Sequence, residues 1–317
     1  MQAKVKKART AQEHRSFKKE LKGALADWRL YLMLLPAFVC LILFHFVPMY
    51  GVTIAFKDLR IGESLLGGTW VGLKHFRRLF GSSLFGTILK NTLTITLIQN
   101  FVLWPLPIIF ALLVHNAPGP KLRKFAQTSS YLPHLLSMTV VVSIIQIFFG
   151  NDSGVINLAL SKLGGSSVNF LGGTKWFLPM YFISNIWTEL GSGAVVYIAA
   201  LSSVDPQQLE AATIDGANKL QRIWHVDLPT IRPLIILMLI MSMGQTMNLG
   251  YEKIYLMQND LNLPVSEIIG TYVYKTGLLS TQYSFSTAVS LFNNVVGLIL
   301  VIAANTISKR LSDTALF

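Results

Sequence analysis

Residues 205–233 read DPQQLEAATIDGANKLQRIWHVDLPTIRP, a polar, helix-forming interruption between two long apolar runs. Asp205 suits a helix N-cap and Pro206 the first helical position, and Gln208 is placed to close a capping box. Leu209, Ala211 and Ala212 give this short helix a narrow face of small apolar residues. Gly216 ends it, because the residue just past a helix commonly needs positive φ. A second short helix is expected over 217–226, carrying Leu220, Ile223 and Trp224, before Leu228-Pro229 redirects the chain. An exposed helix with small residues on one face suits a partner's groove.

The chain on either side is apolar in long blocks. Hydrophobic residues make up 52% of the 317 and charged residues 13%, against roughly a quarter charged in a soluble domain. Six runs stand out, at 30–52, 88–114, 125–149, 176–201, 234–250 and 286–307. Each can cross a hydrocarbon core of about 30 Å, the fifth only if extended to Ile231 or Ile254. This predicts an all-α, polytopic membrane domain of six transmembrane helices over 30–310, with a basic tail at 1–29 and a short tail at 311–317. The first run is longer than a signal peptide's apolar core and is read as an uncleaved span. Six crossings place both termini on one side.

A net charge of +12 could point to an anionic partner, but its distribution favours membrane orientation. The tail, the Lys121 region, the loop cations Lys219, Arg222 and Arg232, and Lys309-Arg310 hold most of the 27 Lys and Arg residues. That side is assigned to the cytoplasm, and 205–233 lands there. Lys90, at the head of the second run, is counted with the outer loop; no other Lys or Arg falls inside a span on this map, and Glu189 is the one charged residue deep within any of them. The tail suits anionic lipid or a solvated anchor. With only Phe17 and Trp28 for stacking, it is a poor nucleic-acid binder.

The pattern Glu210-Ala211-Ala212, Asp215-Gly216-Ala217 and Leu228-Pro229 resembles the cytoplasmic EAA loop of binding-protein-dependent ABC importer permeases. Trp70-Val71-Gly72-Leu73 and Asn91-Thr92-Leu93 resemble the entry to the core helices of the sugar-importing members. Tyr131-Leu132-Pro133-His134, Glu252 to Met257 and Tyr283 to Ala288 are similar to the oligosaccharide and polysaccharide branch, which includes the paired permeases of bacterial alginate importers. The resemblance implies a type I importer permease fold, with the loop as a coupling helix between spans four and five, docked on an ATPase subunit. It also implies a bacterial inner-membrane location, a second similar permease as heterodimer partner, two ATPase subunits and an extracytoplasmic solute-binding protein. ATP and Mg would then belong to those ATPases, with no cofactor on this chain. The residues it points to for coupling are Glu210, Ala211, Ala212, Asp215, Gly216, Leu228 and Pro229.

The residues themselves offer no catalytic set. Gly172-Gly173-Thr174-Lys175 lacks the spacing of a phosphate loop, and the six histidines are scattered without metal-ligand spacing. Polar residues inside apolar runs are more informative, since they normally face a cavity or another helix. Tyr181, Asn185, Thr188, Glu189 and Ser192 share one face of span four by i, i+3 and i+4 spacing. With Trp187, Gln245, Asn248, Asn293 and Asn294 they are candidates for a sugar path, offering amides and a carboxylate to hydroxyls and aromatic faces to rings. Interhelical hydrogen bonding explains the same residues, and helix packing explains Ser192 between Gly191 and Gly193. His134 beside Pro133 is either a substrate contact or a packed kink residue. An ion-coupled secondary transporter using Glu189 and a non-transporting scaffold are the rival readings.

Overall fold

Apolar runs fold as helices in lipid, because a helix satisfies its backbone hydrogen bonds internally where no water is at hand. The structure, a computed structural model, describes residues 28–60, 62–64, 67–151, 153–245 and 250–311. Residues 1–27 of the basic tail, 312–317 of the short tail and the sugar-path candidate Asn248 lie outside the described residues, as does the Gln245 side chain. The chain divides into two units, 1–54 and 55–317.

The first unit is built on α1, Trp28–Leu41, continued by a widened π turn, Ile42–Phe46, and by Val47–Met49. The continuous helical run Arg29–Phe56 is 28 residues long, and its most apolar stretch has no part buried by protein. At 1.5 Å per residue it reaches about 42 Å, enough to cross a bilayer with some tilt.

The second unit opens on a two-residue hairpin, β1 Lys57–Asp58 and β2 Thr69–Trp70, antiparallel with Lys57 opposite Trp70. Helices α2 (Lys74–Phe80), α3 (Phe85–Ile98) and α4 (Pro105–His115) follow. Next come α5 (Pro120–Tyr131), α6 (Met138–Phe149), α7 (Val155–Lys162) and the 28-residue α8 (Thr174–Leu201). The loop helices α9 (Pro206–Ile214) and α10 (Lys219–Arg222) lead into α11 (Leu228–Gln245). Three short helices, α12 (Tyr251–Met257), α13 (Leu263–Ser266) and α14 (Ile269–Tyr274), precede the long α15 (Tyr283–Leu311).

Helix α8 is the centre of this unit and packs against α4, α5, α11 and α13. Close approach to α5 requires Gly191, where an added Cβ would lie 2.3 Å from the carbonyl carbon of Ser130. Three apolar cores hold the unit together, two of them built partly on α8. One joins Ile95, Val141, Ile145, Phe177 and Ile254. A second joins Ile108 and Leu112 of α4 to Tyr197, Leu201 and Ile231. The third seats Phe285 and Val289 of α15 on Leu79, Ile88 and Ile269. Buried amides and hydroxyls staple these elements. The Asn91 side chain donates to the carbonyls of Pro264 and Glu267, both at 3.0 Å, and Thr92 accepts from the Ile269 amide at 2.9 Å.

Four helices among the described residues are long and apolar enough to cross a membrane: Arg29–Phe56, Phe85–His115, Lys219–Ser242 and Tyr283–Ala303. The third expected span is not one straight crossing. Pro120–Leu135 and Met138–Phe149 meet at 101°, because Pro133 and the extended Ser137, which caps α6, break the hydrogen-bond ladder. Helix α8 has the length of a span but not the apolarity, owing to its polar stripe. The mostly helical fold is as expected; the six-span map is not reproduced in full.

Three other prolines are absorbed rather than obeyed as breaks. Their rings clash with the carbonyl four residues back. For Pro48, Pro105 and Pro229 that carbonyl lies in a π turn, at Ile42–Phe46, Gln99–Leu103 and Ile223–Asp227 respectively. The expectation that Leu228-Pro229 redirects the chain is therefore corrected. The helix runs on from Lys219 to Ser242.

Candidate functional site

The exposed loop helices and a cavity beside α8 carry most of the predicted site residues. In the loop, the Asp205 side chain accepts from the Gln207 amide at 2.9 Å, so the cap forms without the expected partner Gln208. Helix α9 closes with Gly216 at φ +77°, and the Ala217 amide donates back to the Ala212 carbonyl at 2.9 Å. This is the reciprocal closure a glycine at positive φ permits. The second helix begins later than predicted, since Asn218 caps it in a reciprocal box with Gln221 at 2.9 and 2.7 Å. Arg222 then reaches Thr213, which ties the two short helices together.

The pair presents Ile214, Leu220 and Trp224 outward, at 87%, 68% and 64% exposure. Glu210, Ala211 and Asp215 are also exposed, whereas Ala212 is half-buried. On the other side Leu209, Ile223, Val226 and Leu228 pack on the second apolar core. Beneath them Asp227 is fully buried. Its Oδ2 accepts from Asn116 Nδ2 at 2.9 Å, and its Oδ1 has no hydrogen-bond partner among the described residues. Sequence reading passed over Asp227. The signal was a lone acid on the apolar side of a helix that leads into a span.

The cavity has a volume of about 500 Å³, and its polar wall includes Gln99, Asn100, His134, Asn185, Glu189 and Ser242. His134 Nδ1 lies 3.3 Å from Glu189 Oε2, with both side chains half open to the cavity side. Asn185 and Glu189 thus line the same cavity. Tyr181 and Thr188 do not: both are buried, Tyr181 stacked on Phe177 and Thr188 bonded to the Ser184 carbonyl. Trp187 lines a separate apolar recess with Ile144, Phe148 and Met180. Asn293 and Asn294 line another cavity, with Tyr251 and Tyr274.

Lying outside the spans does not keep a charge in solvent: Lys253 of α12, outside every span as expected, is only 2% exposed and its Nζ lies 2.6 Å from Asn185 Oδ1. A four-carbon stem carries the ammonium inward from a short helix whose Ile254 and Met257 are also buried.

A family model described as the binding-protein-dependent transport system inner membrane component matches residues 104–313, which include the loop and the α8 cavity wall. The chain belongs to this family. Membership of it does not favour the ion-coupled rival. It is 43% identical over 288 residues to the Polygalacturonan/rhamnogalacturonan transport system permease protein YteP of Bacillus subtilis, covering 91% of this chain and 90% of the relative. It is 29% identical over 288 residues to the Arabinooligosaccharides transport system permease protein AraP of the same species, covering 90% and 88%. A chain in the crystal structure of a bacterial alginate ABC transporter in complex with alginate pentasaccharide-bound periplasmic protein superposes with a TM-score of 0.85 at 36% identity. That match covers 93% of this chain and 99% of the other.

Proposed function

We propose that this membrane component belongs to an ATP-driven importer of oligosaccharides, with uronate-containing chains as its preferred cargo. The carrying observation is the exposed hairpin around Gly216, whose apolar tips stand free of the bundle while its inner face is packed on the core that borders the cavity. Such a hairpin, seated in an ATPase subunit, transmits its movement through Leu209, Ile223 and Leu228 to α4, α8 and α11. The work done on the bundle comes from contacts that differ between the two states of the ATPase.

A second, similar permease completes the pathway, and a solute-binding protein on the outer face delivers the sugar. The hairpin then faces the cytoplasm, with both termini on that side. Asn185, Glu189 and Gln99 supply acceptors and donors for hydroxyls in the cavity. Sugar acidity is supported by the acidic polymers named for the Bacillus relative and the alginate transporter.

The test is to purify the chain from cells that express it naturally. Co-purification of an ATPase subunit and ATP-dependent uptake of oligogalacturonate are expected. A chain that captures no ATPase, or uptake that persists without ATP, overturns the reading.

A further inference from the structure

Lys253 is a buried cation without a direct carboxylate partner among the described residues. Its ammonium donates to Asn185 Oδ1 at 2.6 Å and stands 5.6 Å from the centroid of the Tyr181 ring. Glu189, one turn beyond Asn185 on α8, attracts it without touching it. A desolvated ammonium held by one amide and one aromatic face is costly to keep. The cost falls next to the cavity wall, and two consequences follow for that wall.

The first concerns orientation. An ammonium only donates, so the oxygen of the Asn185 carboxamide must face it. The Asn185 amide is therefore not free to flip, and its NH2 end is the one that meets the Tyr181 hydroxyl. The second concerns charge. Glu189 and His134 are the ionisable groups on the wall among the described residues, and the Glu189 carboxylate repels anionic cargo. The charge of Lys253, set behind the same stretch of α8, offsets it through a medium that screens poorly.

We propose that Lys253 is a positioning residue for the transport cavity, locking the Asn185 amide and balancing Glu189 so that the wall accepts sugars bearing carboxylates. This rests on the importer reading above and deepens it. It assigns the tolerance for acid groups to a residue that does not itself touch cargo.

The experiment uses the complete transporter, with its ATPase subunits and binding protein, reconstituted in vesicles. Oligogalacturonate and its uncharged methyl ester serve as probes. Lys253→Met raises KM for the acid form about tenfold, the scale of one charge-assisted hydrogen bond and its field. KM for the ester moves less than about threefold and the maximal rates of both follow each other. Lys253→Arg, which keeps donor and charge, restores the acid form. Glu189→Gln, on an open side chain, shifts preference the opposite way, toward the acid form. If Lys253→Met fails to assemble, Lys253→Gln, which keeps a donor to Asn185 but drops the charge, decides the matter: it too should lose the acid form selectively.

Equal loss for acid and ester, no loss, or a Glu189→Gln shift toward the ester each overturns the assignment. If the unaltered transporter takes up neither probe, the uronate-importer reading falls and this assignment with it. Normal uptake by the unaltered transporter with indifferent variants overturns the assignment alone.

Discussion

Replacing Gly216 isolates the hairpin's conformation from its packing. An added Cβ meets nothing within 4 Å, so a side chain there is opposed only by the backbone φ of +77°. An L-residue in that region costs about 1–2 kcal/mol, and a β-branched one lies at the upper end or beyond. At 1.4 kcal/mol per tenfold, 2 kcal/mol depletes the native turn roughly 30-fold relative to competing ones. The cost is local, since α9 has no buried residues and the nearest core is held by Leu209 and Leu228. Gly216→Val should therefore insert and purify normally. It should lose substrate-stimulated ATPase activity in the reconstituted transporter by an order of magnitude or more. Gly216→Asn, which tolerates positive φ, should retain most of it, with Gly216→Ala between them. Full coupling in the Val variant, or equal losses in all three, refutes the reasoning.

Three further outcomes are expected. Gly191→Ala forces a Cβ against the Ser130 and Tyr131 backbone at 2.3–2.5 Å and should lower detergent-state Tm more than Gly193→Ala. At Gly193 the new atom meets only Pro107 ring carbons, at 3.0 and 3.2 Å, and overpacking of the first kind costs about 1–3 kcal/mol. Asn116→Leu strips a buried carboxylate of its donor, at about 1–3 kcal/mol. Adding Asp227→Asn to that variant should recover part of the lost Tm; additive losses count against the pairing. The Asp58 carboxyl is held below its ordinary value of 3.8, chiefly by the hydrogen bond from Lys74 at 2.5 Å. A depressed acid contributes stability above that value and loses it as pH falls through the lower, folded one. The pair is exposed and the effect small. It should appear as weaker amide protection of Val71 and Gly72, which donate to the Phe56 carbonyl, at pH below about 3.8 than above it. Unchanged protection argues against it.

The loop was legible because its signals are local: a proline after a capping acid, a glycine at a helix end, small residues on an exposed face. The Gly191 contact was legible for a similar reason, since small residues inside an apolar run mark close helix approach. Spacing on α8 located the polar stripe but not its neighbours. Tyr181 and Thr188 share the stripe with Asn185 and Glu189, yet the stripe is wide enough that part of it is covered by protein and part borders the cavity. Lys253 was invisible to a map of linear spans, because its backbone belongs to a short helix between two long ones. Pro229 misled for a different reason. A proline reads as a break unless the turn before it can widen, and that depends on how much the flanking helix gains from packing.

Each widened turn inserts one residue more than an α-helical turn needs, and one residue corresponds to about 100° around the axis. The turn at Ile223–Asp227 therefore sets the bearing of the hairpin against the membrane segment it leads into. Side chains upstream, Leu220 among them, point where they do because of an offset written five residues long. In a device that conveys motion, such an offset acts as a keyway: it fixes the angle at which a push arrives without interrupting the shaft.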